Sequence, residues 1–109
     1  MSARPLATSS AQITAHVREA LRRAQWPLHL RGTVYAEHLL VAAVTARLMG
    51  ELAPWYGREA YDSVARHFAT TYSRVERSIR HARQESGDAT PNFRCLAILA
   101  DQVVREVQG

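Results

Sequence analysis

The chain has 109 residues, an apolar fraction of 47%, a formal charge of +4 at pH 7 and a pI of about 10.0. One domain of this length can bury a packed core, which excludes a chain disordered throughout, and the longest apolar run, around Leu39 to Ala46, is far too short to span a bilayer. A single cysteine, Cys95, excludes a disulfide framework and a multi-cysteine metal centre, and the opening "MSARPLATSS" has no secretory h-region, so a cytoplasmic setting is expected.

In chain order, residues 1–9 read as a flexible arm and 10–109 as a single helical domain. Ser9 or Ser10 can cap a first helix running to about Gln25, with Ile13, Val17, Ala20 and Leu21 on one face. Pro27 breaks it and Gly32 marks a turn. A second helix, about Thr33 to Met49, is apolar nearly all round, which makes it the central, most buried element. Gly50 ends it. "ELAPWYG" is a connector whose Trp55 and Tyr56 are expected to lid the core. A third helix covers about Glu59 to Phe68 and a fourth Tyr72 to about Gln84. "ESGDATP" is a loop by composition. Pro91 suits the first turn of a last helix to about Val107, with Phe93, Leu96, Leu99, Ala100 and Val103 facing inward. No run alternates with period two over a useful length, so the expected class is all-α, with five or six helices.

The stretch "VARHFATTYSRVERSIRHA" has the spacing of a helix-turn-helix. Ala65 is the small residue expected at the crossing, and Ala69 stands at the turn position that is often Gly. Val64 and Phe68 share the inner face of the third helix. Thr71 is placed to cap the fourth. At 100° per residue Val75, Ser78, Ile79 and Ala82 fall on one side of that helix. Ser73, Glu76, Arg77, Arg80 and Gln84 fall on the other, with Arg74 and His81 on one flank and Arg83 on the other flank. Every one of the fourteen basic residues is Arg. Arg offers a donor fork suited to guanine O6 and N7, and Glu accepts from the cytosine amino group. A surface meant only for phosphate has no use for Glu76. The expected base-contacting residues are therefore Ser73, Glu76, Arg77 and Arg80. Thr70, Thr71, Arg74, His81 and Arg83 are expected at phosphates, aided by the helix N-terminus. The plainer alternative is a solvated helix face with weak i,i+3 and i,i+4 pairs.

The remaining motifs point to no other chemistry. The histidines at 16, 29, 38, 67 and 81 include no i,i+3 or i,i+4 pair, so no metal site or cofactor is expected. No phosphate loop or nucleophile elbow is present, and an enzyme is not expected. His29 and Arg31 could touch phosphate or line the turn, the turn being the expected place, and Cys95 is assigned to the core. Trp26, Tyr35 and Tyr61 are expected in the core or at its rim. Tyr72, at the start of the fourth helix, is expected either against a sugar or thymine methyl or on the surface.

"TTYSRVERSIRHAR", with "VARHF" before it, closely resembles the C-terminal effector domain of the sporulation stage-zero response regulator family. "WPLHLRGTVYAEHLL" and "TPNFRCLAILADQVV" resemble that family's flanking segments, so the likeness covers most of residues 11 to 107. It implies an all-α domain that binds duplex DNA through its fourth helix, at a short G/C-containing box of the TGTCGAA type. By position, Ser73, Glu76 and Arg77 match the family's base-proximal residues, and Arg74, Arg80 and His81 match neighbours on the DNA side. The family pairs through its last helix, which implies a homodimer or tandem dimer sharing Leu96, Leu99 and Val103. Two departures stand out. The sequence carries no phosphoacceptor receiver domain, so aspartyl phosphorylation is not its expected switch. "QESGDAT" also replaces a longer stretch implicated in contact with the RNA polymerase sigma factor. The expected function is a sequence-specific DNA-binding transcriptional regulator. The alternative is a protein-interaction module of the same fold that modulates such a regulator.

Overall fold

A computed structural model describes residues 9–50 and 58–109. The arm before Ser9 and the Trp55–Tyr56 lid lie outside the described residues. Among the described residues the structure is all helix: α1 (Ser10–Arg23), α2 (Arg31–Leu48), α3 (Arg58–His67), α4 (Tyr72–Glu85) and α5 (Asn92–Gln108). α2 is the hub and packs against each of the other four helices. Its Leu39, Leu40, Ala43 and Val44 are buried, as its all-round apolar sequence predicts.

Local chemistry sets the helix limits. Ser9, not Ser10, caps α1. Its Oγ accepts from the Gln12 N–H at 3.1 Å while Gln12 Oε1 accepts from the Ser9 N–H at 2.8 Å, a reciprocal capping box. The helix closes early, at Arg23, because Gln25 takes a left-handed φ of 66° and the Trp26 N–H donates back to Leu21 at 3.0 Å. Gly50 and Gly87, with φ of 86° and 90°, close α2 and α4 in related turns.

Gly32 departs from the sequence expectation. It does not mark a turn but lies inside the first turn of α2, where it is buried against the backbone of α4. A Cβ placed there would stand 1.9 Å from the Ser78 carbonyl oxygen. A glycine in a helix costs about 1 kcal/mol relative to alanine, and here the close backbone approach offsets that cost.

The inner faces of α4 and α5 also need correction. Phe93 is not in the core but 54% exposed, because the buried face of α5 begins at Asn92 and returns at Cys95 and Leu96. Leu96, Leu99 and Val103 are committed to the core, at 5% exposure or less, and so are not available to a partner without rearrangement. Ile98 is the large apolar residue of α5 that points outward alongside Phe93.

Candidate nucleic-acid interface

α3, the turn after it and α4 form the helix-turn-helix. α3 ends when Ala69 enters the left-handed region at φ 54°, and the Thr70 N–H then donates to the Ala65 carbonyl at 2.8 Å. Thr71 caps α4 through its Oγ1, which accepts from the Arg74 N–H at 3.2 Å. Val75, Ile79 and Ala82 are fully buried and fix the rotation of α4. Ala65 is buried on α3, and Gly32 of α2 lies close against the α4 backbone.

That rotation turns Ser73, Arg74, Arg77, Arg80 and His81 out to solvent. Glu76 is half-buried. Arg80 Nη1 donates to both of its carboxylate oxygens, at 2.8 and 2.9 Å, one helical turn apart. Tyr72 is half-buried at the start of α4. Its ring lies edge-on to Tyr61 and beneath the Arg58 guanidinium, 4.7 Å from the ring centre. Burial pushes the Tyr61 phenol up to about 12, so it stays neutral. Its hydroxyl sits beside Asn92 without a hydrogen bond of ordinary geometry among the described residues.

Arg83 is withdrawn from the phosphate set. It is 5% exposed, and its guanidinium donates to Asn92 Oδ1 at 2.7 Å and to the Asp88 carbonyl at 2.6 Å. The physical reason is its place in the repeat. It falls four residues after Ile79 and eight after Val75, on the buried face, and a buried guanidinium must find internal acceptors. The Asp88 carboxylate also accepts from the Thr90 N–H at 2.7 Å and from Cys95 Sγ at 3.3 Å. These bonds hold its pKa below the ordinary carboxylate value, the Thr90 contacts first. Burial pushes the Cys95 thiol up to about 12, so it remains a protonated donor in the core. Residues 86–91 are thus a hydrogen-bonded turn, with no helix between α4 and α5.

Arg31, expected at the turn or at a phosphate, opens α2 and shares a groove with Thr70, Arg74 and Arg77 over a floor of Tyr35 and Phe68. Its position could not be read from the sequence, because more than forty residues separate it from α4 and no spacing rule links them. The arginines of this groove differ from six others on the surface. Arg18, Arg22, Arg23, Arg47, Arg58 and Arg80 each face a carboxylate. Arg31, Arg74 and Arg77 face none among the described residues. Three cations around one concavity with no internal counter-charge favour an external anion. A second groove, beside the first along α4, is lined by Ser73, Glu76, Arg77 and Arg80 with Tyr72 and Phe93 at its edge.

Among the described residues no group of His, Cys, Asp and Glu side chains converges to hold a metal ion, and no helix is long and apolar enough to cross a membrane. The fold is an all-helical domain presenting an arginine-rich helix-turn-helix. Residues 17–102 match the model of the family described as sporulation initiation factor Spo0A C terminal, and the chain belongs to that family. Its members are DNA-binding regulators of transcription. No solved structure matches the chain.

Proposed function

We propose that this domain reads duplex DNA in the major groove through α4. Arg77 and Glu76 face base edges, Ser73 and Arg80 support them, and Thr70, Thr71, Arg74, His81 and Arg31 hold phosphates. The observation that carries this reading is the segregation of the arginines. Six others are paired with carboxylates, whereas Arg31, Arg74 and Arg77 gather around one groove of α4 with no carboxylate partner among the described residues; Arg66, Arg94 and Arg105 are likewise unpaired but do not line that groove. A single helix reads only a few base pairs, so the domain acts as a tandem or two-fold pair on a G/C-containing box of the TGTCGAA type. The reading does not include sigma-factor contact through residues 86–91, since that stretch is a turn.

Fluorescence anisotropy on a TGTCGAA-type duplex and a scrambled duplex, each at two salt concentrations, tests the proposal. The expected result is preference for the box. Arg77→Ala should weaken box binding by roughly 1–3 kcal/mol and relax specificity at one base pair. Arg74→Ala should weaken all sequences alike and reduce the salt slope by about one unit. Equal binding to both duplexes, with a steep salt dependence and no effect of Arg77→Ala on selectivity, would reduce α4 to a cationic surface. Absence of binding to any duplex would favour a protein partner instead.

A further inference from the structure

Asn92, the first residue of α5, is 8% exposed and lies between the exposed face of α4 and its buried end. Its Oδ1 accepts from Arg83 Nε at 2.7 Å. A guanidinium only donates, so this bond fixes which end of the amide faces Arg83 and turns Nδ2 toward Glu76. There Nδ2 donates to the Glu76 main-chain carbonyl at 3.2 Å and approaches Glu76 Oε2 at 3.4 Å. The other arm of Arg83 is anchored on the Asp88 carbonyl. A chain of oriented donors thus runs from the turn after α4, through two buried side chains, to the carboxylate on the exposed face.

We infer that Asn92 is a positioning residue for base recognition: it holds the Glu76 carboxylate in the orientation that meets a base edge, and so sets discrimination at the base pair Glu76 reads. The inference rests on the major-groove reading above. A glutamate on a helix surface has three rotatable torsions. On its solvent side Glu76 is restrained, among the described residues, by Arg80, an exposed i,i+4 partner of the kind that contributes little rigidity. Asn92 supplies the other restraint from inside the fold, where its own orientation is fixed on both sides. An ionised carboxylate offers about four acceptor positions, so the bonds to Arg80 and Asn92 leave capacity for a cytosine amino group. Asn92 lines the groove beside Glu76 but is only 8% exposed, and its amide is taken up by Arg83 and Glu76.

Asn92→Asp separates this role from a purely structural one. It keeps the acceptor for Arg83 and sets a like charge against Glu76. Binding of the full chain is measured by anisotropy on the TGTCGAA-type duplex and on a panel with each base pair changed in turn, alongside thermal denaturation. The variant is expected to melt as a folded protein. It should lose discrimination at one base pair by roughly 5- to 100-fold while keeping the others. Its salt slope should be unchanged, because no phosphate contact is lost. In a Glu76→Ala background, Asn92→Asp should have no further effect on discrimination. Wild-type discrimination at every position in Asn92→Asp, or a loss spread evenly over all positions, would overturn the inference. A wild-type chain that discriminates among no duplexes would instead sink the major-groove reading, and the inference with it. Should Asn92→Ala fail to fold, Asn92→Asp still decides.

Discussion

The guanidinium of Arg83 spends its donors inside the protein, on Asn92 and on the Asp88 carbonyl. That of Arg31 has no such acceptor and opens onto the groove beside Arg74. The same side chain therefore has two different costs of removal. Arg83→Ala strands a buried amide and a carbonyl and should destabilise the fold by roughly 1–3 kcal/mol, read as a lowered melting temperature. Arg31→Ala should leave the melting temperature within the scatter of surface substitutions. It should lower the salt slope of DNA binding by about one unit without changing base preference. A wild-type salt slope in Arg31→Ala would remove it from the phosphate set. Position 83 was within reach of sequence reasoning, since Val75, Ile79 and Arg83 recur at four residues. Periodicity outweighs charge at this position. At position 31 the sequence leaves phosphate and turn both open, because the choice depends on a tertiary contact.

At the level of elements, the helix ends tell the clearest physical story. The turn into α4 depends on Ala69, a residue with a Cβ held at φ 54°. An L-residue in the left-handed region carries a penalty of about 1–2 kcal/mol, part of which glycine would give back as entropy in the unfolded chain. Ala69→Gly should therefore raise stability by up to about 1 kcal/mol with the preferred duplex unchanged, measured by chemical denaturation and anisotropy together. A destabilised variant would mean that the methyl group packs favourably enough to outweigh the strain. The helices themselves were legible to within two residues at most ends, because periodicity and caps are local signals. The start of α2 was misjudged because glycine reads as a breaker from sequence, whereas in the fold it is a contact.

For the whole molecule, the hub position of α2 brings His38 against His67 of α3, with ring centres 4.2 Å apart, and against Phe68. Burial first, and the neighbouring imidazole second, hold the His38 pKa below the usual value. In the unfolded chain His38 takes up a proton near its usual pKa of about 6.5, before the folded chain does. Stability should accordingly fall as pH drops from about 7 toward 5.5, and His38→Gln should flatten that dependence, as followed by melting temperature against pH. An unchanged pH profile in the variant would place the acid sensitivity elsewhere. Neither histidine carried a signal in sequence, where they are almost thirty residues apart. The all-α class, the central helix and the outward face of α4 were legible, because each follows from the spacing of apolar residues along one helix. The grooves and the internal chain from Asp88 to Glu76 were not, because each needs two helices placed against one another.

The contact between Gly32 and the Ser78 carbonyl has a consequence for mutational tolerance. Any base change that alters a glycine codon's amino acid brings in a side chain with a Cβ, and here each one meets backbone at 1.9 Å. In a saturation library selected for DNA binding, position 32 would behave like a nucleotide-contacting residue and accept almost nothing. Yet it is buried and touches no ligand. Its intolerance would report the seating of α4, and a map of contacts drawn from such a library alone would put one residue too many on the DNA.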